Sequence, residues 1–353
     1  MGAIERMFVA KSVTDDDFTD KLWKMYFDVV MSIKKKYRLP ASATNWEEFK
    51  KRILTYLEKE KDCRRYAVLD NGRQVGWIDI MGQNMRTENQ RVYAGFNADF
   101  DKIPEEISKL AAGRIAEYME DYNCSKVFST VHDKRLETVV RSWNGEQLSQ
   151  FNEYVLYRDK ADMARLKKWM DEIPLRHKDL SIKFYEEIPD EYLESFARLL
   201  EATLYDMPEE REGGMNFHVD VKELKDQSRW RKENQMPTYK HLIFNESGEI
   251  VGLTIAEVSL SNPRTALQFM TGIKGEYRGR GLSKWLKAAM FFKLGELFPE
   301  NRKVITWMRA VNEPIQHINK LMGYVLESQG YEFKITKPEL EKYLGQRTEP
   351  GRN

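Results

Sequence analysis

The sequence predicts a mixed α/β protein made of two successive copies of one layered domain, each a mixed β-sheet flanked by helices. Three observations predict it. Segments of the first half recur in the second at a nearly constant spacing. Gly72-Arg73-Gln74-Val75-Gly76-Trp77-Ile78 resembles Gly248-Glu249-Ile250-Val251-Gly252-Leu253-Thr254, 176 residues on. Arg91-Val92-Tyr93-Ala94-Gly95-Phe96 matches Gln268-Phe269-Met270-Thr271-Gly272-Ile273, and Lys126-Val127-Phe128-Ser129-Thr130 matches Lys303-Val304-Ile305-Thr306-Trp307, both 177 residues on. Each match has strand character, and the first opens on a glycine turn. Between the last two matches each half carries one amphipathic helix.

Taken in order, each half reads as helices, a β-hairpin region, a strand, a helix, a strand and a helix. In the first half the helix between the strands presents Ile107, Leu110, Ala111, Ile115, Tyr118 and Met119. In the second it presents Leu282, Trp285, Leu286, Ala289, Met290, Leu294 and Leu297, with Pro299 where a stop is expected. Both approximate the i, i+3, i+4, i+7 stripe of a helix packed on a sheet. The expected boundaries are 1–160 for the first domain, 161–181 for a basic, partly helical linker, 182–336 for the second domain and 337–353 for a tail with a frayed end. The tail holds Pro338, Pro350 and Gly351 and few large apolar residues.

Composition excludes several classes. Among 353 residues, 57 Lys+Arg face 56 Asp+Glu, a net charge of +1. So even a balance argues against nucleic acid or an anionic membrane as main partner. No apolar run approaches the ~20 residues of a membrane span. Met1-Gly2-Ala3-Ile4-Glu5-Arg6 does not read as a signal peptide, so a cytoplasmic location is expected, with Cys63 and Cys124 reduced. His132, His177, His218, His241 and His317 show no metal-ligand spacing, so no metal is expected. HExxH, GxSxG and the P-loop are all absent from the sequence.

The segment richest in chemistry runs from Phe269 to Ser283. A strand ending Thr271-Gly272-Ile273 leads into Arg278-Gly279-Arg280-Gly281, and a helix opens at Leu282-Ser283. A helix N-terminus offers unpaired N–H groups and a partial positive charge. Gly279 and Gly281 remove side chains, so backbone can approach an anion. Arg278, Arg280, Lys284 and Lys287 add charge, and the loop suits a diphosphate. It is not a dinucleotide fingerprint, because GxGxxG is missing.

The run Ile273-x-x-x-x-Arg278-Gly279-Arg280-Gly281-Leu282-Ser283 resembles the acetyl-CoA motif of the GCN5-related N-acetyltransferases (GNATs), R/Q-x-x-G-x-G/A. Asn312-Glu313-Pro314-Ile315-Gln316-His317-Ile318-Asn319-Lys320-Leu321-Met322-Gly323-Tyr324 resembles the family's second signature, N-x-x-A-I-x-L-Y-x-K-L-G-F. With the duplication, the chain is similar to the tandem branch that includes mycothiol-synthase-like proteins, and Asp206-Met207-Pro208 is reminiscent of that branch. The resemblance implies two GNAT-like domains and acetyl-CoA as co-substrate, with transfer of an acetyl group to a primary amine of a small molecule. It implies a cofactor site of Thr271, Gly272, Ile273, Arg278, Gly279, Arg280, Gly281, Leu282, Ser283 and Asn312. The chain is expected to be a monomer or homodimer.

This sequence departs from the family at three places. Position 283 is Ser rather than Gly or Ala. Position 319 is Asn where the family's usual Tyr protonates the departing thiolate; Tyr324 or a water is the substitute, with Tyr324 also suited to a core position. The first half lacks the loop: after Phe96 it carries Asp99, Asp101, Glu105 and Glu106 and no glycine before Glu106. The first domain is therefore expected to be degenerate and the second active.

Direct attack by an amine needs a proton acceptor, since a free amine with pKa near 10.4 is about one part in 10³ neutral at pH 7. Glu257 is the candidate. It alternates with Val251, Leu253 and Ile255, and an acid on that apolar face would have a raised pKa. Pairing with Arg264 or water is the alternative. Backbone N–H groups near Ile273 would polarise the thioester carbonyl, and Trp307 would line the acceptor cleft. Two other readings remain open: an aminoacyl transferase of the same fold, and a non-catalytic acyl-CoA-binding or regulatory protein.

Overall fold

A computed structural model describes residues 7–36, 45–83, 91–206 and 218–345. The chain divides into two compact units, Met1–Gln150 with Gln329–Asn353, and Phe151–Ser328.

The first unit begins with β1 (Phe8–Ser12), then helices Asp20–Lys36 and Trp46–Lys59, the second capped by the Asn45 side chain on the Glu48 amide. β2 (Cys63–Asp70), β3 (Arg73–Gln83) and β4 (Arg91–Ala98) follow as an antiparallel meander. Helix Glu105–Asp121 crosses over to β5 (Lys126–Val131). β4 and β5 are parallel, with Tyr93 paired to Phe128. Helix Lys134–Ser142 leads to β6 (Glu146–Tyr157). The predicted stripe is the buried one: Ile107, Ala111, Ile115, Tyr118 and Met119 pack on Ile78, Ile80, Val92 and Val127.

In the second unit β7 (Leu180–Tyr185), β8 (Thr238–Asn245), β9 (Ile250–Val258) and β10 (Thr265–Ile273) are antiparallel, and β10 runs parallel to β11 (Lys303–Arg309). Helices Asp190–Tyr205 and Val221–Glu233 lie between β7 and β8 in the chain, and helix Leu282–Leu297 joins β10 to β11. β8 and β9 are buried on both faces; β9 is almost wholly apolar, whereas β8 buries Lys240 and His241 as well. One face packs Leu286, Met290 and Leu294; the other packs Phe196 and Leu199 of the Asp190 helix. The three sequence matches fall on the pairs β3/β9, β4/β10 and β5/β11.

Four features differ from expectation. Each unit's sheet is completed by a strand from the opposite half of the sequence. Phe151–Tyr157 of β6 pairs with β11, and Tyr331–Thr336 of β12 (Val325–Thr336) pairs with β5. The boundaries at 160 and 182 therefore cut through the second unit; an alternating terminal strand reads the same whichever sheet it joins. The 161–181 segment is not a free linker. Its helix, Met163–Arg176, buries Leu166, Trp169 and Ile173 in the second unit's core, and β7 has begun by Leu180. Residues from Lys337 form a helix to Leu344, with a Thr336/Glu339 capping box, a buried Leu340 and the Tyr343 hydroxyl 2.6 Å from Ser108 Oγ. The expected fraying beyond residue 345, and Met207 and Pro208, lie outside the described residues. Finally, a bulge between Ile250 and Gly252 moves Val251 to the opposite face from Leu253 and Ile255. Among the described residues no helix is long and apolar enough to cross a membrane.

Candidate active site

The site is set by where β10 and β11 stop pairing. Thr265, Ala266 and Leu267 pair with Lys303, Val304 and Ile305, and there the ladder ends. The β9–β10 register shifts between Gln268 and Met270, a bulge at the same place. Beyond Leu267 the parallel strands form a fork, and three cavities, all lined by residues of the second unit, follow from it.

A groove of about 810 Å³ opens at the wide end. It is lined by Thr271, Gly272, Ile273, Arg278, Gly279, Gly281, Leu282, Ser283 and Asn312, every predicted cofactor residue except Arg280. Gly279 and Gly281 have φ of 77° and 82°, a left-handed conformation that side-chain-bearing residues rarely adopt. Gly281 is the N-cap of the Leu282 helix and supplies no capping side chain, so no side chain caps the helix's first amides. Gly272 has a packing reason too: a Cβ there would lie 2.1 Å from Thr203 Oγ1, on the Asp190 helix. The far wall is the start of helix Glu313–Met322, with Ile315, His317 and Ile318.

Arg280 turns away from the groove. Its guanidinium donates to both Asp179 oxygens at 3.0 and 3.1 Å and lies 3.0 Å from His177 Nδ1, while His177 Nε2 is 2.9 Å from the Arg280 carbonyl. The Asp179 carboxyl is held below its ordinary range by that arginine. His177 and Asp179 thus hold the loop from behind, a role no local motif announces. Arg278 remains at the groove, paired with Asp206 and donating from Nε to the Ile273 carbonyl at 3.1 Å.

A small cavity of about 110 Å³ occupies the fork itself, lined among others by Gln268, Met270, Thr271, Thr306, Trp307 and Lys287. It shares Thr271, Asn312 and Ile315 with the groove, and Phe269 and Met270 with a third cavity of about 530 Å³. That chamber has apolar walls from Leu193, Phe196, Leu224 and Ile255 and a charged side where Lys225 pairs with Asp190 and Lys232 with Glu187, beside Arg231 and Lys240. Burial, and then the neighbouring Arg231, lower the Lys240 amine to about 8. The fork thus shares walls with both the groove and the chamber.

No protein-family profile and no curated protein matches the chain. Solved structures do. A tandem GNAT protein from the clavulanic acid biosynthesis pathway superposes with a TM-score of 0.72 at 16% identity, covering 94% of this chain and 99% of its own. A GCN5-related N-acetyltransferase from Sphaerobacter thermophilus gives 0.62 at 12% identity, over 94% and 96%. The chain has the tandem GNAT fold. A GNAT-type glucosamine N-acetyltransferase region of a fungal multidomain β-N-acetylglucosaminidase also superposes, at 0.63 and 11% identity, over 93% of this chain and 38% of that one.

Within the GNAT fold, the residues expected to move protons lie elsewhere than the sequence placed them. Glu257 does not stand alone on an apolar face: Arg231, from the Val221 helix, pairs with it, and its side chain is 14% exposed. Asn319 is fully buried, with Nδ2 3.8 Å from Met308 Sδ, and lines none of the three cavities. It cannot donate to a departing thiolate. Tyr324 is core, its hydroxyl 3.4 Å from Gln268 Oε1, and burial raises its pKa far above the ordinary phenol value. Trp307 lines the fork and donates to Glu153 at 2.6 Å. Lys287 does not add charge to the loop; it is buried at the fork.

In the first unit the equivalent place is filled by protein. Arg135, at the start of the Lys134 helix, donates to the carbonyls of Ala98 and Phe100 at 2.9 and 2.6 Å and to Asp133 at 2.9 Å. Where the second unit presents a glycine-rich loop after β10, the first presents carbonyl oxygens after β4 to a guanidinium.

Proposed function

We propose that the second unit is an acyl-CoA-dependent N-acyltransferase, moving an acetyl or other short acyl group from coenzyme A to a primary amine of a small molecule. The fold supports acyl transfer in general. The observation that supports the reading for this chain is that the fork shares lining residues with both groove and chamber, so that a donor and an acceptor could approach one point from separate sides. The anion-binding loop would hold the diphosphate through the amides around Gly279–Ser283, with Arg278 and Lys284 beside it. Acceptor amines would enter the chamber. The amine nitrogen attacks the thioester carbonyl; a C–N bond forms, the C–S bond breaks, and the thiolate takes up one proton as the amine loses one. A thiol with pKa near 8.5 leaves acceptably without a dedicated acid, consistent with Asn319 standing where the family has Tyr. Glu257 orients Arg231 at the chamber wall in this reading, and a water accepts the amine proton.

The first unit supplies no donor site in this reading, because Arg135 occupies the corresponding place. A second cavity beside the fork, roomy enough for an acceptor, favours catalysis over a purely acyl-CoA-binding role. Calorimetric titration with CoA, acetyl-CoA and desulfo-CoA, followed by thiol release against a panel of amines, tests the assignment. Binding without thiol release from any amine would leave a binding protein; no binding would remove the groove assignment.

A further inference from the structure

Lys287 is the buried group that this chemistry leaves unused. It is 2% exposed, on the second turn of the Leu282 helix, and lines the fork. An ammonium carries three donors. One reaches Gln268 Oε1 at 2.9 Å, and the ring of Tyr324 lies 5.4 Å away. Among the described residues no carboxylate pairs with it. Gln268 cannot rearrange to help: its Nε2 donates to Thr254 Oγ1 at 2.9 Å, so its oxygen already faces Lys287 and Tyr324.

Position along the fork gives this group a meaning. A donor arm entering from the groove passes Thr271 and runs toward the closed end, where Leu267 and Ile305 still pair. Gln268 and Thr306 are the first residues beyond that pair, and Lys287 joins them. The far end of a transferred acyl group therefore stops against an amine, an amide and a hydroxyl. An acetyl methyl there would offer nothing to the ammonium donors that Gln268 leaves, and an unmet buried donor is costly. The fork cavity, about 110 Å³, is the smallest of the three, which favours a short acyl group.

We propose that the fork selects a short acyl group carrying its own carboxylate, a dicarboxylic acyl thioester, with the Lys287 ammonium as its counter-ion. This rests on the groove being an acyl-CoA site. Two carboxylate oxygens would accept the ammonium donors that Gln268 leaves, and the Thr306 hydroxyl lies in the same wall. Burial lowers the amine to about 7, so an anion there would draw the proton onto it.

The test is a donor panel on the full chain: CoA, acetyl-CoA, propionyl-CoA, malonyl-CoA and succinyl-CoA, by calorimetry and by thiol release. Malonyl- or succinyl-CoA should bind at least about tenfold tighter than propionyl-CoA, the low end of a charge-assisted hydrogen bond. Lys287→Met should abolish that preference while leaving the affinity for free CoA within about twofold. Gln268→Glu, which gives Lys287 an internal carboxylate, should abolish it as well. Acetyl- or propionyl-CoA binding wild-type protein as well as the dicarboxylic thioesters overturns the proposal without any variant. Failure of free CoA to bind overturns the groove assignment and this inference with it.

Discussion

Replacing Lys287 by Met should stabilise the protein, and the gain should depend on pH. Burial lowers the amine from its ordinary 10.5 to about 7. Each pKa unit corresponds to about 1.4 kcal/mol, so carrying the buried lysine costs about 4 kcal/mol at pH 7. Methionine conserves most of the volume. Gln268 Oε1 keeps the Tyr324 hydroxyl at 3.4 Å, so losing the lysine donor costs about 1 kcal/mol, leaving a net gain of about 3 kcal/mol. The folded pKa lies below the unfolded one. From about pH 7 to about pH 10.4 the unfolded chain therefore binds the proton that the folded chain has released, and wild-type stability rises with pH. Below pH 7 both states bind it and the penalty is complete. The advantage of the variant should thus be largest at and below pH 7 and shrink steadily toward pH 10. Urea unfolding between pH 6 and pH 9 reads this, with the transition of the second unit marked as the one that CoA shifts. A variant less stable than wild type at pH 7, or a difference that ignores pH, would refute the reasoning.

The other predictions concern the loop, the chamber and the boundaries. Ser283→Glu places an acid in the first turn of the Leu282 helix, where it favours the helix by about 0.3–1 kcal/mol yet repels a diphosphate; stability should hold while CoA affinity falls at least about tenfold by calorimetry. Glu257→Gln frees Arg231, so steady-state kinetics should show a several-fold rise in acceptor KM with kcat changed by less than about tenfold; a loss near 10²-fold in kcat at constant KM would return the base role to Glu257. A fragment of residues 151–328 keeps β6 pairing and the Met163 helix and should be soluble and bind CoA. Residues 176–353 lack both and should aggregate, as size-exclusion chromatography would report.

What the sequence disclosed was local. The loop's conformation was legible because it lies in consecutive residues: strand, two glycines, helix start. Nine of its ten assigned residues line the groove, and Arg280 escaped because its partners, Asp179 and His177, sit about a hundred positions earlier. The duplication was legible from the strands themselves. The strand exchange was not, since alternation encodes a face and not a partner. Neither was the chamber, assembled from Leu193, Leu224, Lys240 and Met270 on separate elements. Lys287 read as a surface charge because helical periodicity alone cannot tell a polar position on the solvent side from one closing a cavity. The Thr336/Glu339 capping box was a missed signal present in neighbouring residues, as was the Asn45 cap.

The central claim is that one donor site exists per chain, in the second unit. Calorimetric titration of free CoA into full-length protein tests it most directly. A stoichiometry of one is expected, with Ser283→Glu weakening that single event and Arg135→Ala leaving it unchanged. Two equivalent events per chain, or a single event that survives Ser283→Glu at wild-type affinity, would contradict it.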